Sequence, residues 1–300
     1  MKLIKPSFEI REQPSGLEGV YKQIEGAGRV CYKSEDKIAE GTAKAFVDRM
    51  IASGHGAMLE HGTVYLKCET EVINRYIHPE DGEEEDFNKL EKYEYNSYSV
   101  TSDDGIYLYV TTNLRVLVEN DWLDDLQYIC EPTEYHEKRI TVQFTCDRGV
   151  SHEFVRHRVM SFAQESTRYC NYSKDKFSNE LTFIEPCWLE DYNYKDNTYN
   201  QLFIDSLRFA EAHYLDLLKK WDDKIPDKRY KTGFRNNPWT PQQARAVLPN
   251  ALKTELVMTG FVSDWKHFFE LRCSPNAHPQ ARELAIPLQE EFIARGYINN

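Results

Sequence analysis

Residues 140–146 set the strictest limit on how this chain can fold. Ile140, Val142, Phe144 and Cys146 alternate with Thr141, Gln143 and Thr145, and a period of two marks a strand with one buried face. Val64, Leu66 and Cys68 alternate in the same way with Tyr65 and Lys67, and 106–111 is a third candidate strand. Two other stretches follow the helical period. Ala43, Phe46, Val47, Met50 and Ile51 share one stripe of a helix over about 42–53, with Gly54 placed to stop it. Phe203, Leu207, Ala210, Tyr214, Leu217 and Trp221 recur at helical spacing over about 203–221, and Pro226 forbids much continuation. No regular β-α-β rhythm joins these elements. The expected class is therefore α+β, a mostly antiparallel sheet flanked by helices.

With 41% hydrophobic and 13% aromatic residues, the 300 positions can bury a sizeable core. We read them as one catalytic domain, 1–300, carrying an insertion at about 70–138. Its charge run, Glu80-Asp81-Gly82-Glu83-Glu84-Glu85-Asp86, reads as a solvated loop. A net charge of -12 argues against a nucleic-acid coat or an anionic-membrane binder, since both need a broad positive field. Any anionic ligand must instead meet a local basic pocket. The seven cysteines are odd in number and form no C-x-x-C pair, the pattern of reduced thiols. The N-terminal residues lack a signal-peptide core, and no run approaches the roughly 18 apolar residues of a membrane span, so the expected location is cytoplasmic.

Basic residues concentrate in one place, Ser151 to Tyr169. Arg156, His157, Arg158 and Arg168 gather there in an otherwise acidic chain. Guanidinium forks suit phosphate because they donate two parallel charge-assisted hydrogen bonds. Ser166 and Thr167 add hydroxyl and backbone donors beside Arg168. The plain alternative is a surface stripe neutralised by the many Asp and Glu side chains. Three catalytic look-alikes are set aside. Cys187 after Pro186 is read as structural, and Ser166 has no assignable His-Asp relay. His152-Glu153 to His157 is one residue too long for H-E-x-x-H, so no metal is expected.

The spacing favours a ligand cradle. Arg156-His157-Arg158-Val159-Met160-Ser161, then Ser166, Arg168 and Tyr169, resembles the R-H-R-x-x-S-x(4)-S-x-R-Y signature of the flavin-dependent thymidylate synthases. The resemblance extends to Arg29-Val30-Cys31-Tyr32, to His55 through His61, to Arg245-Ala246-Val247-Leu248-Pro249 and to Trp265 through Arg272. It implies a thymidylate synthase-complementing-protein-like fold. It also implies reductive methylation of dUMP to dTMP, with methylenetetrahydrofolate as carbon donor, NADPH-reduced FAD as hydride source and no protein nucleophile. A homotetramer with active sites at subunit interfaces would follow.

Residue by residue, the resemblance implies that Glu153, Arg156, Gln164, Glu165, Ser166, Thr167, Arg168, Arg245 and Arg272 bind dUMP. It implies FAD contacts for His55, Arg156, His157, Arg158, Gln164 and His267, and a catalytic role for Arg272 in polarising the uracil. If 265–272 is helical, Trp265, Phe268 and Arg272 share one stripe, and a guanidinium on an apolar face is costly unless paired. Phe261 and Ser263 stand where the family often has Asn and Arg. That departure motivates the alternative, a non-catalytic nucleotide-binding homologue.

Overall fold

The computed structural model describes residues 1–70, 73–77, 84–174, 177–189, 198–219 and 238–299. Its strands are β1 (Lys2–Ile4), β2 (Ser7–Arg11), β3 (Thr63–Glu69), β4 (Ile73–Ile77), β5 (Glu84–Asn88), β6 (Val100–Asp103), β7 (Tyr107–Asn113), β8 (Arg139–Asp147), β9 (Ser161–Gln164), β10 (Thr182–Ile184) and β11 (Lys253–Phe261). The helices are α1 (Gly16–Tyr32), α2 (Thr42–Ala52), α3 (Gly56–Leu59), α4 (Leu114–Glu119), α5 (Arg148–Phe154), α6 (Thr198–Leu218), α7 (Pro241–Ala244), α8 (Val262–Arg272) and α9 (Pro279–Ala294).

The alternation at 140–146 becomes β8, which lies inside a wholly antiparallel sheet of order β2-β8-β11-β9. Its apolar face carries Val142, Phe144 and Cys146 beside Leu256 and Met258 of β11. Phe154 of α5, Trp265, Phe268 and Phe269 of α8, and Leu288 and Phe292 of α9 close over that face. The Trp265 indole donates to the Ile140 carbonyl at 3.1 Å, which satisfies its one polar atom inside the core. On the other face α1 packs Ala27 and Val30 against Ala163 and Val257. The class is α+β, with mostly antiparallel sheets flanked by helices, as the periodicity indicated.

A second sheet, β3-β7-β6, pairs the other two expected strands. With α1, α2 and α4 it builds a second core that includes Val20, Ile24, Phe46, Leu66, Val110 and Leu117. Several members of this core, among them Leu90, Tyr93 and Leu117, lie in the stretch read as an insertion. The chain that follows that stretch comes back beside the start of β3. Arg139 donates to the Glu60 carbonyl at 3.0 Å and to Thr63 Oγ1 at 3.3 Å, and its backbone N–H donates to the Tyr65 hydroxyl.

Some expectations need correction. Glu84 to Asp86 are not loop but part of β5, which pairs antiparallel with β4; residues 80–83 lie outside the described residues. The first helix stops at Ala52, and Ile51 is 37% exposed, so the buried stripe is narrower than the apolar one. The long helix starts at Thr198, because its polar first turn carries no periodic signal. Trp221 and Pro226 lie outside the described residues. Cys31, Cys68, Cys130, Cys146 and Cys273 are free thiols. No helix of the described residues is long and apolar enough to cross a membrane.

Close approach explains one glycine of α1. A Cβ at Gly19 would sit 1.7 Å from the Pro14 carbonyl oxygen, which is backbone and cannot rotate away. Gly19→Ala is expected to cost about 2 kcal/mol through this overpacking. Denaturant unfolding checks it, and an unchanged midpoint would contradict the packing described.

Candidate functional site

Asp147 caps α5, its carboxylate accepting from the Val150 N–H at 2.8 Å. The helix ends at Phe154, and the chain turns back through 155–160 into β9. The arginine motif therefore sits on a tight helix-to-strand turn. In β9 the side chains alternate: Ala163 packs toward α1, while Phe162 joins the α5–α8 core and Gln164 reaches Ser151 of α5.

Arg272 ends α8 beside this turn. Its Nη1 donates to Glu153 Oε2 at 2.7 Å, its Nη2 to the Glu153 carbonyl at 2.7 Å, and its Nε to His157 Nε2 at 3.1 Å. The expected stripe holds: Trp265 and Phe268 are buried and Arg272 is half-buried beneath them. Burial lowers the Arg272 pKa and the Glu153 carboxylate opposes that shift, so the guanidinium keeps its charge. His157 is buried against the Phe268 ring, 5.0 Å between centroids. Burial first, then the charges of Arg272 and His267, push its pKa down to about 4. Because His157 Nε2 accepts from Arg272, the neutral ring carries its proton on Nδ1.

An unfolded histidine titrates near 6.5, so between pH 6.5 and about 4 the unfolded chain binds a proton that the native His157 refuses. Stability therefore falls as the pH drops through that window. His61 and His136, also lowered by burial, act with the same sign. Unfolding free energy is expected to be smaller at pH 5.5 than at pH 7.0, with His157→Gln narrowing the gap. An identical gap in that variant would exclude His157 as a source.

The remaining arginines contrast with Arg272. Arg156 and Arg158 are exposed on the turn, and Arg156 donates to the His152 carbonyl at 3.3 Å. Exposed Arg168 lies over the Tyr169 ring, and Arg245 reaches Thr167 Oγ1 at 3.2 Å. Among the described residues none of these four pairs with a carboxylate, in a chain with 49 acidic residues against 37 basic ones. The neutralised-stripe alternative predicts the opposite. Val159 (68% exposed), Tyr169 (60%) and Leu271 (48%) are exposed apolar neighbours in sequence of Arg158, Arg168 and Arg272.

Other expected residues are dispersed. Glu165 turns inward, its buried carboxylate accepting from the Tyr172 hydroxyl at 2.9 Å and Lys253 at 3.0 Å. Ser166 donates its backbone N–H to the Cys31 carbonyl, and its hydroxyl accepts from the Arg168 N–H. His55 is exposed at the start of α3. His267 is exposed too, facing Glu270 with its ring 6.0 Å from that of His157. Phe261 lies under the Arg139 guanidinium, and the Ser263 N–H donates to Glu137. A cavity of about 310 Å³ between β8, β3 and the start of α1 is lined by none of the expected site residues. Ser151 and Thr254, which hold Gln164, went unread in the sequence; both are small, buried hydroxyl residues with no periodic signature.

The thymidylate synthase complementing protein family matches residues 132–295, more than half of the chain. A flavin-dependent thymidylate synthase of Mycolicibacterium gilvum (strain PYR-GCK) is 34% identical over 147 residues, 49% of this chain and 54% of that relative. One of Mycobacterium tuberculosis (strain ATCC 25618 / H37Rv) is 32% identical over 147 residues, with the same shares. The chain thus spans about half the length of the curated relatives it matches. A UMP/dUMP methylase, PolB from Streptomyces cacaoi, solved with bound 5-Br dUMP, aligns over 98% of this chain and 93% of its own at 16% identity, with a TM-score of 0.42.

Proposed function

The chain belongs to the thymidylate synthase complementing protein family, and on that premise we propose that it is a flavin-dependent thymidylate synthase, converting dUMP to dTMP. The observation that carries the proposal is the set of four arginines, Arg156, Arg158, Arg168 and Arg245, without carboxylate partners among the described residues. Such guanidiniums suit the phosphates of a mononucleotide and of FAD, so the donor set fits both ligands. FAD, when bound, supplies the hydride, with NADPH as reductant and methylenetetrahydrofolate as carbon donor.

In this reading Ser166, Thr167, Arg168 and Arg245 grip the dUMP phosphate, and buried Glu165 anchors the loop that carries them. Arg156, His157, Arg158, His55 and His267 meet the flavin, and Gln164 meets both ligands. Glu153 orients Arg272, whose fixed positive charge stabilises negative charge developing on the uracil carbonyls. The Cys31 and Cys130 thiols are not poised for attack, since burial pushes both up to about 11. Exposed Val159, Tyr169 and Leu271, each next to an arginine in the chain, favour a homotetramer whose subunits complete each site. We also propose a single catalytic domain located in the cytoplasm.

The engagement of Phe261 and Ser263 inside the fold favours one other reading, a nucleotide-binding homologue without activity. Visible spectroscopy of the purified protein, paired with dUMP calorimetry, separates the two. Bound flavin together with dUMP binding supports the synthase. dUMP binding by a colourless protein that takes up no added FAD would overturn it.

A further inference from the structure

Gln164 is held more tightly than a ligand-contacting amide on a strand end requires. Its Nε2 donates to Ser151 Oγ at 2.8 Å and to Thr254 Oγ1 at 3.2 Å. Ser151 has already committed its own proton, donating to the Arg148 carbonyl at 2.9 Å. Its oxygen can therefore only accept. A Gln164 amide rotated by half a turn would set Oε1 against that oxygen with no proton between them. Ser151 and Thr254 are both buried, so water does not relieve the mismatch. Among the described residues Oε1 has no hydrogen-bond partner.

We infer that Ser151 and Thr254 are positioning residues that lock the Gln164 amide, so that position 164 meets its ligand with a carbonyl oxygen alone. This rests on the proposed function and deepens it. The ligand atom facing position 164 must then be a hydrogen donor. An imide N–H, present in both a uracil ring and an isoalloxazine ring, has that chemistry. A ring presenting only a bare nitrogen lone pair there would be rejected.

The test compares two backgrounds. Ser151→Ala with Thr254→Val removes both hydroxyls while nearly preserving volume, and thermal melts establish that the variants fold. In the Gln164 background the pair is expected to raise the KM for dUMP, or the Kd for FAD, about tenfold. The turnover number kcat should change by less than about threefold. Whichever constant moves identifies the imide that Gln164 reads. In the Gln164→Leu background the same pair should shift that constant by less than about twofold, because no amide remains there to be oriented.

Equal losses in both backgrounds would mean that the hydroxyls matter only for packing, and would overturn the inference. No loss in either would overturn it too. Wild-type protein that binds dUMP without making dTMP would overturn the activity but not the inference. The calorimetric Kd for dUMP in the same two backgrounds then decides it.

Discussion

Alanine at position 272 is expected to slow dTMP formation by about two to three orders of magnitude while leaving FAD binding largely intact. Removing one preorganised electrostatic group from an active site costs on the order of 3 kcal/mol in barrier, and Arg272 is preorganised on three sides. The Glu153 carboxylate, the Glu153 carbonyl and His157 Nε2 all accept from it, and the buried Trp265–Phe268 stripe sets where α8 delivers it. The structure thus supplies the partner that a guanidinium on an apolar helix face demands. Pairing alone is compatible with a purely structural bridge, so the assay must separate the two roles. A structural bridge predicts lost stability with near-normal turnover in the folded fraction; the proposed role predicts lost turnover in folded, flavin-loaded protein. Arg272→Lys should recover little, because one ammonium cannot reproduce the fork.

The largest effect on stability is expected at Trp265. The side chain is fully buried, contacting Phe144, Phe268, Phe269 and Phe292. Trp265→Ala removes that area, leaves a cavity between α8 and the sheet, and loses the indole's hydrogen bond to the Ile140 carbonyl. Aromatic-to-alanine changes at such sites cost about 3–5 kcal/mol. Denaturant unfolding should show a loss in that range, large against the roughly 5–15 kcal/mol that holds most domains folded. A loss below about 1 kcal/mol would mean that α8 does not seal this core.

The parts of the fold legible in the sequence share one property, an unbroken local period. β3 and β8 each gather their apolar side chains on one face and put polar ones on the other, so their alternation is clean even where Thr63 and Thr141 are buried. β11 was not legible, although it is the strand that joins β8 to β9. It is covered on both faces, and Leu256, Val257 and Met258 are buried in succession. A run buried on both sides does not alternate. The signal of α1 is diluted by Gly16, Gly19, Gly26 and Gly28, which lower helix propensity. The structure gives Gly19 and Gly28 a reason, since side chains there would strike Pro14 and Phe46. Within the site, Arg156, Arg158 and Arg168 were legible as a charge anomaly in an acidic chain, Arg272 as a guanidinium on an apolar helix stripe, and Arg245 only through the family resemblance. Ser151 and Thr254 were not, because what they do depends on where β9 and β11 place Gln164.

Product formation decides whether the chain is the proposed synthase. Purified protein, incubated anaerobically with dUMP, methylenetetrahydrofolate and NADPH, should yield dTMP by mass spectrometry when FAD is present and none when FAD has been stripped. FAD-independent dTMP, or no dTMP from flavin-loaded protein that binds dUMP, would contradict it.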